Sequence, residues 1–501
     1  MTIQLRRTTA DPRQNENKRI RMLLLLLPII GCAMIVSSSS SLNHIDMFLD
    51  WQAVTATSAA ETTNTSSGRL NLILQRLQRT AHELEQAPWT FYMYSDQDDV
   101  RFTQSDKPHQ VAWVKWRRYA DEIEYDLQTL ALLANSNRRT TDPARADIFV
   151  VPTPLGQFMC SRTLSESEAL EALIEHPIFR NVSGNRHLLI STAFVTFRAE
   201  TASFVRSISN YYSALYNVTV ASSSHAALST FACQNASFRS SFLSRYEFYG
   251  PSLQGEHCED PKFFGRSPVS RYASIGLADV GTDLPLITPT WTKFLHAQYF
   301  VFYRTRVEPS FNNSTQYRLF FQDQHLILDP HTQHDFHVPR PSIVGYPASN
   351  RSQWLYEFSH SQFCLVLRGD SPNSHALLRS LRVGCIPVII SDTYPIYNPP
   401  MPSSLEFDDF ALFIPEQAFL RNPQHELWKL TKLDRDTIRI KIAGAKLAQR
   451  LLFPDHPQTL LVPALIKEVL VTYQEGQPVG GGYLPKALDR AQQLLARNNL
   501  L

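Results

Sequence analysis

The chain has 501 residues, enough for two domains, because a single hydrophobic core is unusual at this size. Hydrophobic residues make up 43% and aromatic residues 11% of the chain, which is ample for well-packed interiors. The formal net charge is only +2, and no long basic run follows the N-terminal segment. This argues against nucleic acid as a main partner, since phosphate backbones need clustered Lys and Arg, although a local basic pocket for one diphosphate remains compatible with it.

The N-terminal segment has the pattern of a membrane-targeting sequence. Six basic residues within 1–21 precede an apolar run over 22–36, and a serine run follows. This order keeps the N-terminus in the cytosol and exports the rest of the chain. We predict a cytosolic tail over 1–21 and a retained signal-anchor helix over 22–42, which the serines and Leu42 can extend. A cleaved signal peptide is the alternative, because the apolar run of about 15 residues is short for a bilayer. A buried core helix is a second, weaker alternative.

Sequons and cysteines fit an exported chain. Seven Asn-x-Ser/Thr triplets are predicted glycosylation sites: Asn64, Asn181, Asn217, Asn235, Asn312, Asn313 and Asn350. One of the six cysteines, Cys32, lies in the predicted anchor and leaves an odd number for an oxidising compartment. Cys233 and Cys258 are close together in a loop-like stretch and are predicted to form a disulfide. The sequence has no Cys-x-x-Cys or His/Cys cluster, so neither structural zinc nor another cofactor is expected.

The first part of the exported region is predicted to be a stem over residues 43–88. Residues 56–68 are small, polar and rich in Thr and Ser, and cannot bury enough apolar surface to fold alone. Residues 70–85 have helical apolar spacing.

Two α/β domains are predicted after the stem, over 89–288 and 289–475. In the first, short apolar runs predict strands at 89–94, 148–151 and 187–192, with a helix over 113–133. The second domain has the same organisation, with strands at 299–303, 363–367 and 386–390 and helices at 374–383, 434–450 and 459–473. Alternating helices and buried strands predict mostly parallel sheets. A Gly-rich break and an amphipathic helix form the predicted tail, 476–501.

The most informative segment is residues 363–395, FCLVLRGDSPNSHALLRSLRVGCIPVIISDTYP. It predicts a buried strand, a polar turn, a helix and a second buried strand that ends at Ser391-Asp392. Ligands of such units bind at the carboxyl ends of the strands. Gly369 allows close approach to the backbone, while Ser371 and Ser374 can cap the helix or donate to phosphate oxygens at its positive end. A turn with a helix cap and no ligand is the alternative.

This segment resembles the donor-side signature of exostosin-like glycosyltransferases. The pattern S-x-F-C-L-x-P-x-G-D-S-P-S-S, a helix, and G-C-I-P-V-I-x-S-D is matched at Ser361, Phe363, Cys364, Leu365, Gly369, Asp370, Ser371, Pro372, Ser374, Gly384, Cys385, Ile386, Pro387, Val388, Ile389, Ser391 and Asp392. Weaker similarities lie at 142–152, at Arg304 and Arg306, and at 410–416. The resemblance covers about residues 89–475 and is dense only in the last third.

The resemblance implies the GT-B fold, in which two Rossmann-like domains face each other across a cleft. The nucleotide-sugar, expected to be a UDP-sugar, would bind the C-terminal domain, and the glycan acceptor mainly the N-terminal one. Members are type II Golgi membrane proteins that invert the anomeric carbon and generally lack an Asp-x-Asp metal site. The two Asp-x-Asp triplets here, at 96–98 and 434–436, are interpreted as a solvated turn and a helix start. A homo- or hetero-oligomer with another transferase is a further expected partnership.

An inverting transfer needs positive charge for the leaving diphosphate and a base for the acceptor hydroxyl. Arg304, Arg306 and Arg368 are the candidates for the first role, each with a surface or salt-bridge role as the alternative. The resemblance adds Gly369, Asp370, Ser371, Ser374 and Asp392 as donor-binding candidates. His187 and Asp370 are candidates for the base, with a structural histidine and a turn residue as the alternatives.

Several positions depart from the family pattern. Leu377 stands where an Arg is aligned, and Arg379 stands where the acid that faces the donor ribose is aligned. Losing such a carboxylate would cost one charge-assisted hydrogen bond, about 1.5–3 kcal/mol. Thr305 replaces a Gly, and residues 185–187 read Asn-Arg-His in place of Arg-Asp-His. The second hypothesis is therefore a catalytically inactive, transferase-like subunit that binds glycan or supports an active partner.

Overall fold

A computed structural model describes residues 65–94, 120–152, 175–182, 186–191, 219–222, 275–276, 284–304, 340–345, 350–367, 374–392, 394 and 400–474. The chain divides into two compact units, 1–71 and 72–501. The first is described only from residue 65, where it begins helix α1. All contacts below lie within the second unit.

The N-terminal sheet has six parallel strands in the order β2-β1-β3-β4-β5-β6. Its strands are β1 (Phe91–Met93), β2 (Arg139–Thr140), β3 (Ile148–Val151), β4 (His187–Ser191), β5 (Thr219–Ser222) and β6 (Ile275–Gly276). The predicted strands at 148–151 and 187–192 are thus confirmed almost to the residue. Parallel central strands are covered on both faces, which is why these runs are continuously apolar.

The C-terminal sheet has five parallel strands in the order β11-β10-β9-β7-β8. Its strands are β7 (Tyr299–Arg304), β8 (Ile343–Gly345), β9 (Ser361–Leu367), β10 (Ile386–Ile390) and β11 (Leu412–Phe413). Every residue of β9 and β10 is buried. The sequence predicted β7, β9 and β10, whose apolar runs are long enough to be recognised, but missed the short edge strands β8 and β11.

The helices of the described chain are α1 (Thr65–Gln86), α2 (Ala120–Ala134), α3 (Pro177–Asn181), α4 (Trp291–His296), α5 (Arg351–Ser359), α6 (Ala376–Arg382), α7 (Phe407–Phe410), α8 (Glu416–Arg421), α9 (Pro423–Lys429), α10 (Arg435–Leu452) and α11 (Leu461–Gln474). The predicted helices at 374–383, 434–450 and 459–473 correspond to α6, α10 and α11. Asp434 caps α10, because its carboxylate accepts from the Thr437 backbone N–H at 2.7 Å. The interpretation of 434–436 as a helix start is therefore confirmed.

One apolar core connects the two sheets. Its members include Met93 and Ile148 from the N-terminal sheet and Val366 and Ile389 from the C-terminal sheet. Helix α11 packs back against β3 and β5. A hydrogen bond from Tyr125 Oη of α2 to the Leu452 carbonyl of α10, 2.6 Å long, joins the two parts as well.

Helix α1 is docked on this core through residues that the sequence analysis had placed in the stem. Leu77 and Leu84 belong to the shared core. Arg76 forms ion pairs with Glu406, at 3.0 Å, and with Asp409. Arg138 donates to two backbone carbonyls at the end of α1, those of Leu84 at 3.1 Å and Glu85 at 3.0 Å. The helical spacing over 70–85 is thus confirmed, and its apolar stripe faces the core.

These two parallel sheets with flanking helices are an α/β architecture compatible with a GT-B-like fold. The predicted anchor, 22–42, lies outside the described residues. Within the described part, no helix combines the length and the apolar character needed to cross a membrane. The domain boundaries proposed from the sequence stay predictions.

Candidate functional site

The C-terminal sheet has a topological switch point between β7 and β9. From β7 the chain passes to β8 on one side, and it then returns to β9 on the other side of β7. Ligands of open parallel sheets bind outside the carboxyl ends of the strands at such a point, where the connections diverge. Arg304 is the last residue of β7, and Leu367 ends β9 directly before the Arg-Gly-Asp-Ser-Pro segment. The predicted diphosphate site therefore begins at the two strand ends that flank the switch point.

Arg304 is held by a bidentate ion pair with Glu357 of α5. Its Nε donates to Oε2 at 2.5 Å and its Nη2 to Oε1 at 2.8 Å. Gln353 Nε2, one helical turn before Glu357, donates to the same Oε1 at 2.9 Å. The Glu357 side chain is 5% exposed and that of Arg304 is 16% exposed. The salt-bridge role that the sequence analysis left open for Arg304 is therefore present, and it ties the last residue of β7 to α5.

The Gly-Cys-Ile-Pro corner ends α6 through a Schellman motif. Gly384 has φ +66°, its N–H donates to the Leu381 carbonyl at 3.0 Å, and the Cys385 N–H donates to the Ser380 carbonyl at 2.9 Å. A Cβ on Gly384 would lie 2.6 Å from the Ile287 carbonyl oxygen. The Lys293 Nζ donates to the Gly384 carbonyl at 3.0 Å, and burial lowers the pKa of Lys293 to about 8. Gly384 is thus required by backbone conformation and by close approach.

A disulfide joins Cys364 of β9 to Cys385 at this corner. The sequence analysis missed it. The pair at Cys233 and Cys258, which it predicted instead, lies outside the described residues. A signal was available, since one cysteine lies in the predicted strand at 363–367 and the other directly before the predicted strand at 386–390, and the register places Cys364 opposite Pro387, two residues after Cys385.

Asp392 follows β10 and is bonded reciprocally to Glu416 at the start of α8. The Glu416 N–H donates to Asp392 Oδ1 at 2.9 Å, and the Asp392 N–H donates to Glu416 Oε1 at 3.1 Å. Both carboxylates are buried. They stand at the carboxyl ends of β10 and β11, the same edge that carries Arg304. Glu416 was not among the predicted site residues, although it ends the weak family similarity at 410–416.

Helix α6, which follows the Gly-Asp-Ser-Pro segment, differs from the family pattern in a way that the fold accommodates. Leu377 is buried in the core shared by the two sheets, while Arg379 is half-buried. Ser374 Oγ accepts from the Ala376 backbone N–H at 3.3 Å, but the N-cap of α6 is His375, whose side chain makes no cap hydrogen bond, so a role of Ser374 at the phosphate stays a prediction. Five other candidates, Arg306, Arg368, Gly369, Asp370 and Ser371, lie outside the described residues.

His187 is enclosed in an aromatic layer of the N-terminal sheet. Its Nε2 lies 2.8 Å from the Tyr94 hydroxyl, and its ring lies 4.5 Å from that of Phe179 and 5.1 Å from that of Phe149. The residue is fully buried. This environment supports the structural alternative for His187 over the role of a base.

Two residues of the N-terminal segment that resembles the family, and one residue that departs from the family pattern, have structural roles. Asp142 caps a short 3-10 helix at the Ala144 N–H, 2.9 Å away, and Asp147 accepts from the Thr90 N–H at 2.7 Å. Arg186 donates to the Asp147 carbonyl at 2.8 Å and lies over the Phe149 ring. Together these residues fix the entry to β3 and its contact with β4.

Two of the predicted glycosylation sites are described, and both are exposed. Asn181 ends α3, and Asn350 caps α5 by accepting from the Gln353 N–H through Oδ1 at 2.8 Å. Glycosylation joins the sugar to Nδ2, so this cap and a glycan use different atoms. The other sites, Asn64, Asn217, Asn235, Asn312 and Asn313, lie outside the described residues.

Among the described residues, no group of three or more His, Cys, Asp or Glu side chains is arranged to hold a metal ion. The expectation that no metal or cofactor is needed stays a prediction.

The two parallel sheets with flanking helices define an α/β protein, and its C-terminal sheet has a topological switch point between β7 and β9. Residues 321–427 match the Exostosin GT47 domain family, and this range includes β8, β9, α6, β10 and β11. This part of the chain is thus similar to the family that the motifs at 361–392 resemble.

Two curated proteins are similar to parts of the chain. Exostosin-1 homolog from Caenorhabditis elegans is 34% identical over 74 residues, which is 14% of this chain and 19% of that protein. Probable glucuronoxylan glucuronosyltransferase IRX7 from Arabidopsis thaliana is 33% identical over 82 residues, 16% of each chain. This chain thus covers under a fifth of the length of either relative.

Proposed function

We propose that this protein is a glycosyltransferase that moves a sugar from a nucleotide-sugar to a polysaccharide or a glycoprotein glycan. The observation that carries the proposal is the switch point of the C-terminal sheet, where Arg304 and the Gly-Asp-Ser-Pro segment follow neighbouring strand ends. The strand–helix–strand unit that contributes this segment lies inside the region matched by the Exostosin GT47 domain. The name of the Arabidopsis relative includes a glucuronosyltransferase activity on glucuronoxylan, which supports a polysaccharide as the acceptor class.

In the proposed reaction, the acceptor hydroxyl attacks the anomeric carbon and a nucleoside diphosphate, expected to be UDP, leaves with inversion. Arg304 would stabilise the charge that develops on the departing diphosphate, as preoriented donors do in transition states. The backbone at Gly369 and the hydroxyl groups of Ser371 and Ser374 would contact the phosphate oxygens. Of the two candidate bases, Asp370 is favoured because His187 is enclosed by aromatic rings.

The proposed location is the Golgi lumen, with a single N-terminal anchor over 22–42 and a type II orientation. The basic flank followed by an apolar run supports the orientation. The disulfide between Cys364 and Cys385 supports an oxidising compartment for the folded part, since such bonds are rare in the cytosol.

The alternative is a catalytically inactive transferase-like subunit that binds glycan or supports an active partner. The observation in its favour is that α6 carries Leu377 and Arg379 where the family pattern has a basic residue and a ribose-binding acid. Nucleotide binding without release of UDP from any nucleotide-sugar would favour this alternative.

The test is nucleotide binding by the purified full-length chain. Isothermal titration calorimetry should detect UDP, and a panel of UDP-sugars should show slow hydrolysis to UDP by at least one member. Arg304→Ala should weaken UDP binding by roughly 10- to 150-fold, since it removes a charge-assisted contact of about 1.5–3 kcal/mol. Gly369→Trp should weaken it by filling the bend. A chain that is folded but binds no nucleotide would contradict the proposal.

A further inference from the structure

We propose that a surface of tryptophans and cations on the helices of the C-terminal sheet binds acidic polysaccharide, a sugar polymer that carries carboxylate groups. Two tryptophans each have a cation over the ring. Lys432 Nζ lies 4.7 Å from the centroid of the Trp428 ring, and Arg435 Cζ lies 5.4 Å from that of Trp291. These four side chains are called the Trp–cation surface. The proposal goes beyond the transferase reaction, since it concerns a second binding site.

The two tryptophan–cation pairs belong to one surface. Lys432 and Arg435 are three positions apart, so the backbone between them spans at most about 11 Å. Leu433, which lies between the two cations, and Trp291 both pack on the apolar cluster that the C-terminal sheet forms with residues of α9 and α10. A polymer that reaches one pair can therefore reach the other.

The acidic residues of this segment are engaged by other groups. The Asp434 carboxylate accepts from the Thr437 backbone N–H at 2.7 Å and from the Thr437 hydroxyl at 2.9 Å, which caps α10. Two more acids pair with a cation three residues away in the same helix: Glu426 with Lys429 at 2.6 Å, and Asp436 with Arg439 at 3.9 Å. Within the described part of the chain, neither Lys432 nor Arg435 has an ion pair. Their charges favour an anionic ligand.

The chemistry of the four side chains selects an acidic sugar among anionic ligands. Trp428 is 37% exposed, and both Lys432 and Arg435 are exposed. An indole is a broad apolar ring with a single donor, which suits the C–H face of a sugar ring. The cation beside each indole supplies a contact for a carboxylate on the same sugar, and a guanidinium can bind that carboxylate through two N–H groups. An acidic polypeptide offers the charge without the sugar ring.

The Trp–cation surface is separate from the proposed donor site. Helix α4, which begins at Trp291, is tied to the amino ends of the central strands. Gln362, near the start of β9, donates to the Phe294 carbonyl at 2.8 Å, and Lys293 donates to the carbonyl of Gly384, shortly before β10, at 3.0 Å. The proposed donor site lies at the carboxyl ends of these strands. A polysaccharide on the Trp–cation surface would therefore contact the protein away from the reacting sugar.

The experiment measures binding of a galacturonic acid oligomer to the purified full-length chain by isothermal titration calorimetry. The fully methyl-esterified oligomer is the matched ligand, because it keeps the sugar rings and loses the charge. We expect the acid form to bind at least about tenfold more tightly than the ester, since only the acid form makes charge-assisted contacts. Equal affinities for the two forms would contradict the proposal.

Two variants test the cation and the ring separately. Arg435→Gln should weaken binding of the acid oligomer about tenfold and leave binding of the ester unchanged, because it removes a charge-assisted contact. Trp428→Ala should weaken binding of both forms by roughly 2- to 10-fold, because it removes a contact with the sugar ring.

The matched control is Arg79→Gln, which removes the same charge from an exposed position on α1, a helix that packs on the core shared by the two sheets. It should change the affinity for the acid oligomer by less than about twofold. Urea unfolding of each variant shows that it is folded, and surface substitutions of this kind change stability little.

Three results would overturn the inference. The folded, unmodified chain does not bind the acid oligomer, or Arg435→Gln and Arg79→Gln weaken binding equally, or poly-L-glutamate binds as tightly as the sugar oligomer. The last result would mean that the surface recognises acidic polypeptide. Failure of the proposed function is a different outcome, because a chain that binds the acid oligomer but no nucleotide would keep this site and lose the transferase activity.

Discussion

Several side chains near the predicted site residues have structural roles that their sequence motifs do not indicate. Asp147 lies in a segment that resembles a transferase family, and Arg186 and His187 lie where the chain departs from that pattern, yet each is engaged in packing or in main-chain hydrogen bonds. Arg304, a candidate for diphosphate binding, is likewise engaged in an ion pair with Glu357. A motif specifies residue type and spacing, whereas contacts decide whether a side chain is accessible to a ligand.

Glu468 of α11 is a buried carboxyl group whose pKa is raised above its ordinary value. Its Oε1 accepts from the backbone N–H of Ser403 at 2.9 Å and from the Ser403 hydroxyl at 2.5 Å. Burial raises the pKa of Glu468 to about 7, and the two Ser403 hydrogen bonds oppose this rise only in part. The folded chain therefore binds a proton at Glu468 in a pH range where the unfolded chain has lost it.

We predict that this group makes the protein less stable as pH rises. The pKa of Glu468 in the folded chain, about 7, lies above the ordinary value of 4.5. The contribution of the protonated Glu468 to the free energy of unfolding is therefore complete below pH 4.5 and is lost as pH rises through 7. The loss amounts to about 3 kcal/mol. Glu468→Gln, which stays neutral, should flatten this slope in urea unfolding measured from pH 5 to 8. The exposed Glu83→Gln is the control, and an unchanged slope in the Glu468→Gln variant would contradict the prediction.

At the scale of elements, the strands and helices with long apolar runs were predictable and the short ones were not. β9 and β10 are buried on both faces, so that their sequences are apolar throughout. β8 has three residues and β11 has two, and they lie at the two edges of their sheet. Each is recognised as a strand only by its hydrogen bonds to one neighbouring strand. Such strands leave no periodic signal in the sequence.

The disulfide between β9 and the α6–β10 corner should stabilise the C-terminal half. The two cysteines are separated by 21 positions in the sequence. Closing a loop of this length restricts the unfolded chain and raises the free energy of unfolding by roughly 3 kcal/mol. The double variant Cys364→Ala with Cys385→Ala should lose about that amount in urea unfolding. A digest under non-reducing conditions should contain a linked peptide pair with both cysteines, in the intact chain and in a Cys233→Ala control alike. Alkylation of Cys364 and Cys385 without prior reduction would contradict the bond.

At the scale of the whole molecule, the core that spans both sheets joins the two halves. Helix α1, α2, α10 and α11 all contribute to this core or to bonds across it. Helix α1, which precedes the first strand, is consequently part of the folded domain from residue 72 onward, and its apolar residues are as deeply buried as those of the strands.

Helix α1 offers a matched pair of substitutions that tests this arrangement. Leu84 is 0% exposed and belongs to the shared core, whereas Leu72 on the same helix is 69% exposed. Leu84→Ala should destabilise the protein by about 2–5 kcal/mol, the usual cost of a cavity in a close-packed core. Leu72→Ala should change stability by less than about 0.5 kcal/mol. Urea unfolding measures both, and equal small effects would mean that α1 is not packed on the core.

The α/β class, the central strands of both sheets and the exostosin-like segment could be predicted without coordinates. These are properties of local apolar runs and of residues at nearly constant spacing. The tertiary structure alone decided the Cys364–Cys385 bond, the Glu357 partner of Arg304, the Asp392–Glu416 pair and the enclosure of His187. Each of these joins residues that are distant along the chain or on different elements, and such contacts exist only when parallel strands and their helices have been brought into register.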